Sequence, residues 1–151
     1  MNFFQEKVLN VSNKAYTKSF ASIYDEVMDN VPYDLWYKYL IDLLDYYDKK
    51  PNKVIDLACG TGNMTFRFAE NKNWELSGVD ISQDMLEVAR AKAKEKNINI
   101  DFYNDDLRTF SPDDKYDLAF SLFDSLNYIL KYDDLKKVFQ KTYNLLKRKF
   151  L

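Results

Sequence analysis

A short apolar run that ends in a glycine loop is the feature that most constrains the fold of this 151-residue chain. Residues 54–57 have the composition of a buried parallel strand, and a helical pattern begins soon after them. Between the two lie Gly60 and Gly62, which let the backbone turn tightly and approach a ligand with no Cβ in the way. The segment therefore predicts a strand–loop–helix unit with a ligand site at the end of the strand.

Strands and helices are predicted to alternate along the rest of the chain. Further strands are predicted over residues 76–79, 98–102 and 118–123, and helices over residues 61–71, after Ser82, and along an apolar stripe over residues 135–146. The first 50 residues are aromatic and helical in pattern. This order predicts an α/β fold in which a parallel sheet with right-handed crossovers carries helices on both faces.

Composition excludes several kinds of site. The chain has no histidine, which rules out histidine-based catalysis and His-ligated zinc, and its single cysteine, Cys59, cannot form an internal disulfide or a thiolate metal cluster. A net charge of −2 gives no electrostatic argument for nucleic acid or membrane as a partner, and no stretch has the length of a membrane span or a signal peptide. We expect a cytoplasmic protein that binds no metal, with nucleic acid and membrane disfavoured as partners.

Two acidic residues at predicted strand ends identify the class of ligand. Asp56 lies near the end of the first strand, and Asp80, eighteen residues beyond Gly62, closes the second. An acid at the latter position can accept both hydroxyl protons of a ribose, so the loop and the acid together predict a nucleoside site. Each feature alone is more often an ordinary turn or a helix cap. A dinucleotide is disfavoured because Thr65 stands where the fingerprint G-x-G-x-x-G needs its third glycine.

At these residues the chain resembles the class I S-adenosylmethionine-dependent methyltransferases. Residues 54–62 (VIDLACGTG) resemble their first motif, and residues 78–82 (GVDIS) with the following Asp-Met-Leu resemble their second. Residues 105–110 resemble the loop along the adenine, residues 116–129 the fourth strand and the active-site loop, and residues 16–40 the N-terminal helices of small bacterial members. The likeness covers nearly the whole chain and implies S-adenosylmethionine as the cofactor.

The resemblance implies a Rossmann-like three-layer fold with about four strands in the order 3-2-1-4. It divides the chain into an N-terminal helical lid segment, residues 1–50, and a cofactor-binding domain, residues 51–151. The family's sheet has seven strands in the order 3-2-1-4-5-7-6, and residues 145–151 stand where the fifth would begin, so we expect a truncated domain. Its fourth strand would leave an apolar edge at Leu118, Phe120 and Leu122, able to pair with a second copy. A dimer could instead form through the C-terminal helix. The alternative to dimerisation is that the chain is part of a larger enzyme.

The resemblance also implies a role for each matching residue. The methionine end of the cofactor would lie on Asp56 and the backbone of residues 58–62, where Ala58 replaces the family's usual first glycine and Gly60 and Gly62 are kept. Asp80 would bind the ribose, and Ile81 and Met85 would pack on the adenine ring. Asp106, with Leu107 beside it, would meet the adenine amino group, and Asp105 is the alternative acid. Phe123 and Asp124 would lie beside the methyl group, and Tyr16 and Tyr24 would belong to the lid. Asp124 or a lid tyrosine is the candidate base.

Several of these residues have structural interpretations as well. Tyr16 and Tyr24 have the spacing of core residues, Asp124 can cap the helix that follows it, and Cys59 reads as a small buried side chain. The lysine-rich segment 131–149 is interpreted as a solvated helix face, with nucleic-acid binding as the alternative. Two functions follow: methyl transfer to a small-molecule acceptor, or a catalytically inert domain that binds only cofactor or a partner. A nicotinamide-dependent dehydrogenase is a third, disfavoured by Thr65.

Overall fold

Four parallel strands form the centre of the molecule. The structure, a computed structural model, describes residues 18–71 and 74–147. The strands are β1 Lys53–Leu57, β2 Glu75–Asp80, β3 Asp101–Asn104 and β4 Leu118–Phe120, and they lie in the order β3-β2-β1-β4. This is the predicted order, and it brings the carboxyl ends of β1 and β2 together at the middle of one edge of the sheet.

Helices cover both faces of this sheet. They are α1 Lys18–Ala21, α2 Tyr24–Val27, α3 Tyr33–Tyr46, α4 Asn63–Asn71, α5 Gln83–Lys96 and α6 Tyr132–Leu145, with a short 3-10 helix at Ser125–Tyr128. Helix α5 shows why such elements form where they do. Its N-terminus is capped by the Ser82 hydroxyl, which accepts from the Met85 amide at 3.3 Å, and Asn97 ends it in a left-handed conformation with φ of 53°.

Alternate residues of the strands face two separate cores. Val54 and Leu76 pack with Met64, Phe68 and Phe120, and the apolar side of α3 covers this cluster. The opposite face packs together six buried side chains: Ile55, Leu57, Val79, Phe110, Tyr116 and Leu145. Because β1 is buried on both faces, it has no polar side to turn toward water, which is why its sequence reads as an apolar run.

Two strands are shorter than the pattern predicts. The third begins at Asp101, because residues 98–100 form the connection from the left-handed Asn97 into the sheet. The fourth ends at Phe120, since the chain turns away before Phe123, which has φ of 62°. The helix predicted from residue 61 begins at Asn63, because Gly62 belongs to the loop.

The edge beyond β4 differs from the predicted apolar edge. Leu118, Phe120 and Leu122 pack on the α3–α4 face of the sheet rather than projecting outward. In the part of the chain that the structure describes, a single isolated bridge lies at this edge, and it joins Tyr116, two residues before β4, to Leu146 in parallel. What this edge presents is therefore mainly backbone. Among the same residues, no helix is both long and apolar enough to cross a membrane.

Candidate cofactor site

A strained glycine loop follows β1 at the carboxyl edge of the sheet. The amides of Ala58 and Cys59 both donate to the carbonyl of Val79, at 2.8 and 3.1 Å, which ties the loop to β2. Ala58, Gly60 and Gly62 all have left-handed φ values, of 63°, 56° and 81°. Ala58, which stands where the family's first glycine is usual, thus adopts a conformation that glycine takes more readily, and not the ordinary dihedral angles at which alanine is tolerated without cost. A left-handed conformation costs a non-glycine residue about 1–2 kcal/mol.

The two glycines of the loop are needed for different reasons. A Cβ built on Gly62 would lie 2.9 Å from the ring of Phe66, so this glycine allows α4 to pack closely behind the loop. A Cβ on Gly60 would meet no atom within 4 Å, which means that Gly60 faces open space. The loop is thus packed on its inner side and open on its outer side, as a ligand site requires.

Asp80 lies across from this open space at the end of β2. Its carboxylate accepts from the amide of Gly60 and from that of Ser82, each at 2.8 Å. Burial raises the pKa of Asp80, although these backbone hydrogen bonds act in the opposite direction. Each carboxylate oxygen has a second lone pair. Asp80 can therefore fix the loop and still accept the two hydroxyl groups of a ribose, so the residues present fit a nucleoside cofactor.

Asp56 supports the loop from behind. Its side chain is only 4% exposed, and Oδ2 accepts from the Thr65 hydroxyl of α4 at 2.6 Å. Burial raises the pKa of Asp56 to about 7. A cationic ammonium group, such as the one at the methionine end of the predicted cofactor, would favour the charged form of this acid. Thr65, noticed in the sequence only as a missing glycine, is thus the hydrogen-bond partner of Asp56.

The residues predicted for the adenine ring differ in accessibility. Ile81 is 44% exposed and follows Asp80 directly, whereas Met85 is 2% exposed and lies in the core. The side-chain amide of Asn104 donates to the carbonyls of Asp80 and Ile81, both at 3.0 Å, and so positions this turn. Ile81 is available to a ligand in this conformation, whereas Met85 is buried, and its contact with the adenine stays a prediction.

The predicted acid of the adenine loop forms an ion pair. Asp106 accepts from the guanidinium and the amide of Arg108, and the hydrogen bonds to Arg108 lower the pKa of Asp106 although burial alone would raise it. Asp105 accepts from the Thr109 hydroxyl and the Asp106 amide, which is a local turn. Leu107 packs against the buried cluster around Ile55. Arg108 was missed because a cation two residues from an acid has no distinctive spacing.

The N-terminal helices bring Tyr24 to the same edge of the sheet. Its pKa is raised to about 12, first by burial and then by charged neighbours that include Asp124 and Asp80. The charges of both acids therefore act on Tyr24, and its position over the cofactor stays a prediction. Tyr16 lies outside the described residues.

The segment after β4 carries an aromatic cluster next to this edge. Phe123 is 45% exposed and meets the rings of Tyr33 and Trp36 edge-on, with centroids 5.8 and 6.0 Å apart. Asp124 occupies the N-cap position of the 3-10 helix, but its side chain makes no capping hydrogen bond. The capping interpretation of Asp124 is therefore wrong, and its exposed carboxylate lies beside the aromatic cluster.

A polar junction that the sequence did not reveal joins α2 to the loop. Asp25 accepts from the Thr61 hydroxyl at 2.6 Å and from Lys92 of α5 at 2.8 Å. These residues are far apart in the chain, and no local pattern predicts their contact. Across residues 18–71 and 74–147, no group of three or more acidic or cysteine side chains is placed to hold a metal ion.

Known proteins share both the sequence and the fold. The methyltransferase domain family matches residues 54–149. YqeM of Bacillus subtilis, whose name places it among methyltransferases without naming a substrate, is 36% identical over 131 residues, which cover 86% of this chain and 51% of YqeM. A crystal structure of an S-adenosylmethionine-dependent methyltransferase from Clostridium acetobutylicum superposes with a TM-score of 0.75 at 34% identity, over 85% of this chain and 52% of that one.

A more distant structure shares the fold alone. CalS10 of Micromonospora echinaspora, an amino pentose methyltransferase solved with S-adenosylmethionine bound, gives a TM-score of 0.72 at 18% identity, over 87% of this chain and 53% of CalS10. The chain spans about half the length of the curated relatives it matches.

Proposed function

Because the chain belongs to the class I S-adenosylmethionine-dependent methyltransferases, we propose that it transfers the methyl group of this cofactor to a small-molecule acceptor in the cytoplasm. One observation carries the proposal. The acid at the end of β2, Asp80, holds the amide of Gly60 at 2.8 Å while the other side of Gly60 faces open space. The ribose acid and the loop are therefore joined in one preorganised site.

Each residue has a defined task in this proposal. Bound S-adenosylmethionine supplies a methyl group that is already activated by the positive sulfonium. Asp80 accepts the ribose hydroxyls, the open side of the loop receives the methionine end, and Ile81 packs on the adenine. Tyr24 excludes water from above, which strengthens the polar contacts beneath it. Positioning supplies most of the rate enhancement in such a reaction.

The acceptor would lie on the Phe123 side of the site. Phe123, Tyr33 and Trp36 give this side an aromatic wall, and the Asp124 carboxylate at its base can hold the proton that an acceptor loses. The wall favours an acceptor with a flat or apolar part. The name of CalS10 refers to an amino sugar, but no such preference is carried over to this chain.

The alternative is a domain that binds cofactor or a partner and does not catalyse transfer. It is supported by the fact that the cofactor-binding contact of Asp80 with the amide of Gly60 does not involve Asp124 or any acceptor. We also propose that any self-association uses the backbone edge beyond β4 or the exposed aromatic side chains of α6, Phe139 and Tyr143. A stable monomer in sedimentation at micromolar concentration would contradict this contact.

Calorimetric titration tests the cofactor site first. Asp80→Ala should weaken the binding of S-adenosylmethionine and of S-adenosylhomocysteine about 100-fold, because two hydrogen bonds to a charged group are lost. Asp101→Ala is the matched control, since Asp101 is an exposed acid at the opposite end of the neighbouring strand, and it should bind as the parent does. Equal affinity of all three proteins would contradict the assignment of Asp80.

A turnover assay then separates the two functions. Formation of S-adenosylhomocysteine is followed with a panel of amine, phenol, thiol and carboxylate acceptors. Acceptor-dependent turnover, lost in Asp124→Asn and in Phe123→Ala, supports methyl transfer at the proposed wall. Tight cofactor binding with no turnover on any acceptor supports the binding-only domain.

A further inference from the structure

Helix α2 depends for its position on contacts with the rest of the molecule. It is a single turn of four residues and contains no fully buried side chain. A turn of this length has no stability as an isolated helix. Tyr24 packs edge-on against the ring of Phe20, and the polar contacts of the turn are made by Asp25.

Asp25 makes those contacts with two different elements. Oδ1 accepts from the hydroxyl of Thr61, which is 1% exposed and lies between the two loop glycines, at 2.6 Å. Oδ2 accepts from Lys92 in the last half of α5, at 2.8 Å. One carboxylate thus connects α2, the glycine loop and α5. The hydrogen bonds outweigh the effect of burial and lower the pKa of Asp25, so the group is charged at neutral pH.

Lys92 extends the junction to a further element. Its ammonium group also donates to Oδ1 of Asn63 at 2.7 Å and lies 5.4 Å from the centre of the Phe66 ring. The amide of Asn63 in turn donates to the Tyr33 hydroxyl at 3.1 Å, at the start of α3. Charge-assisted hydrogen bonds of this kind are about twice as strong as neutral ones. A cleft of about 530 Å³ that Asp25 and Lys92 help to line lies beside the junction.

The residue next to Asp25 is Tyr24, which the bond between Asp25 and Thr61 brings close to the glycine loop; burial and then nearby charges, those of Asp124 and Asp80 among them, raise the pKa of Tyr24. We propose that Asp25 is a positioning residue for cofactor binding, whose bonds to Thr61 and Lys92 hold α2 against the glycine loop and so keep Tyr24 over the site. By linkage, bound cofactor and a closed α2 stabilise each other. The proposal rests on the cofactor site of the proposed function and does not depend on the identity of the acceptor.

Binding of S-adenosylhomocysteine to the full chain tests the proposal. Asp25→Asn keeps an acceptor for Thr61 and removes the charge that Lys92 meets, while Lys92→Met removes the cation and leaves α2 unchanged. Each should weaken binding about 10-fold, and the double variant should be little worse than either single one, because both break the same contact. Lys38→Met is the control, since it removes an exposed ion pair of the same 2.8 Å length, to Asp42 on α3, and should bind as the parent does.

Two further measurements separate positioning from general stability. Amides of residues 20–33 should exchange with deuterium faster in Asp25→Asn without ligand, while those of β1 and β2 keep the parent's protection. Thr61→Ser retains the hydroxyl and should keep the parent's affinity, whereas Thr61→Val should lose about as much as Asp25→Asn.

The possible outcomes separate the proposals from one another. A parent chain that fails to bind S-adenosylhomocysteine overturns the proposed function itself. Normal binding by the parent, Asp25→Asn and Lys92→Met overturns only the positioning role. If affinity falls only in proportion to the fraction of folded protein, or if both variants fail to fold, Asp25 is a determinant of global stability. Either result also overturns the positioning role.

Discussion

The two ends of the same parallel sheet hold buried acids in opposite ways. At the amino end, Asp117 accepts from the amides of Asn52 and Lys53 and from the ammonium of Lys147, all at 2.9 Å, and these bonds lower its pKa although burial opposes them. At the carboxyl end, burial raises the pKa of both Asp56 and Asp80. The charge of the acid at the amino end is thus compensated by its hydrogen bonds and its ion pair, whereas the charges of the two acids at the carboxyl end are incompletely compensated.

The left-handed residues at the two ends of the sheet are of different kinds. At the amino end they are Asp48 and Asn97, short polar residues that follow helices, where this conformation is common. At the carboxyl end they are Ala58 and Phe123, for which it is costly. Strain of this kind persists where the surrounding structure enforces it, and it collects at functional sites. The comparison teaches that one end of the sheet stabilises the fold and the other gives up stability to present a binding surface.

The largest expected effect is at the amino end. Asp117→Ala leaves two backbone amides without their acceptor and Lys147 without its partner, so we expect the free energy of unfolding to fall by about 3 kcal/mol in urea titrations. Asp114→Ala removes a half-exposed partner of Lys53 at the same end and should cost less than about 1 kcal/mol. Similar losses for the two variants would contradict the structural role assigned to Asp117.

The next effect is a pH dependence from the carboxyl end. The pKa of Asp56 is about 7 when folded, above its ordinary value of 3.8, so the protonated acid stabilises the fold. This contribution is complete below the ordinary value, declines as pH rises and is lost above the folded pKa, with a slope of up to about 1.4 kcal/mol per pH unit. Urea titrations without cofactor should therefore show stability falling by about 2 kcal/mol from pH 5 to pH 7.

The Asp56→Asn variant isolates this group. It keeps the size of the side chain and removes the titration, so its stability should change much less with pH. The absence of histidine leaves few other groups that titrate in this range, although the raised pKa of Asp80 acts in the same direction. A parent protein that gains stability from pH 5 to pH 7 would contradict the assignment.

A smaller effect tests the strain in the glycine loop. Ala58→Gly relieves the left-handed conformation but makes the unfolded chain more flexible, so we expect a net gain of about 0.5–1 kcal/mol in the free energy of unfolding. Ala91→Gly, at an exposed position inside α5, should instead lose about 1 kcal/mol. Thermal unfolding of both variants measures the difference, and the same sign of change in both would mean that Ala58 is not strained.

The smallest effect on stability is expected at Phe123. Phe123→Gly relieves its left-handed conformation and loses two edge-on ring contacts, which are each worth about 0.5–1.5 kcal/mol, so the two effects nearly cancel. Phe120→Ala, three residues earlier and 7% exposed, should cost about 3 kcal/mol because it empties part of the core. Equal losses in the free energy of unfolding for Phe123→Gly and Phe120→Ala would mean that Phe123 stabilises the fold as a core residue does.

Local sequence patterns determined the fold class and the outline of the site. The apolar run of β1, the glycines after it and the acid at the end of β2 depend on spacing along one segment, and the structure places them as that spacing predicts. The strand order 3-2-1-4, implied by the family resemblance, is confirmed. The start of the helix after Ser82 was also predictable, because a serine cap and the amide from which it accepts lie within one turn.

Contacts between distant segments were decided only by the tertiary structure. Thr65 binding Asp56, Lys147 closing on Asp117, and Asp25 meeting Thr61 and Lys92 each pair side chains whose spacing carries no signal. Ala58, whose φ is left-handed, donates its amide hydrogen bond to the carbonyl of Val79 on the neighbouring strand. Sequence thus determined where a cofactor site lies, because glycine and acid placement is local. The tertiary structure decided which acids have raised and which have lowered pKa values, and which side chains join α2 to the loop, because burial and ion pairing depend on groups that meet only when the chain has folded.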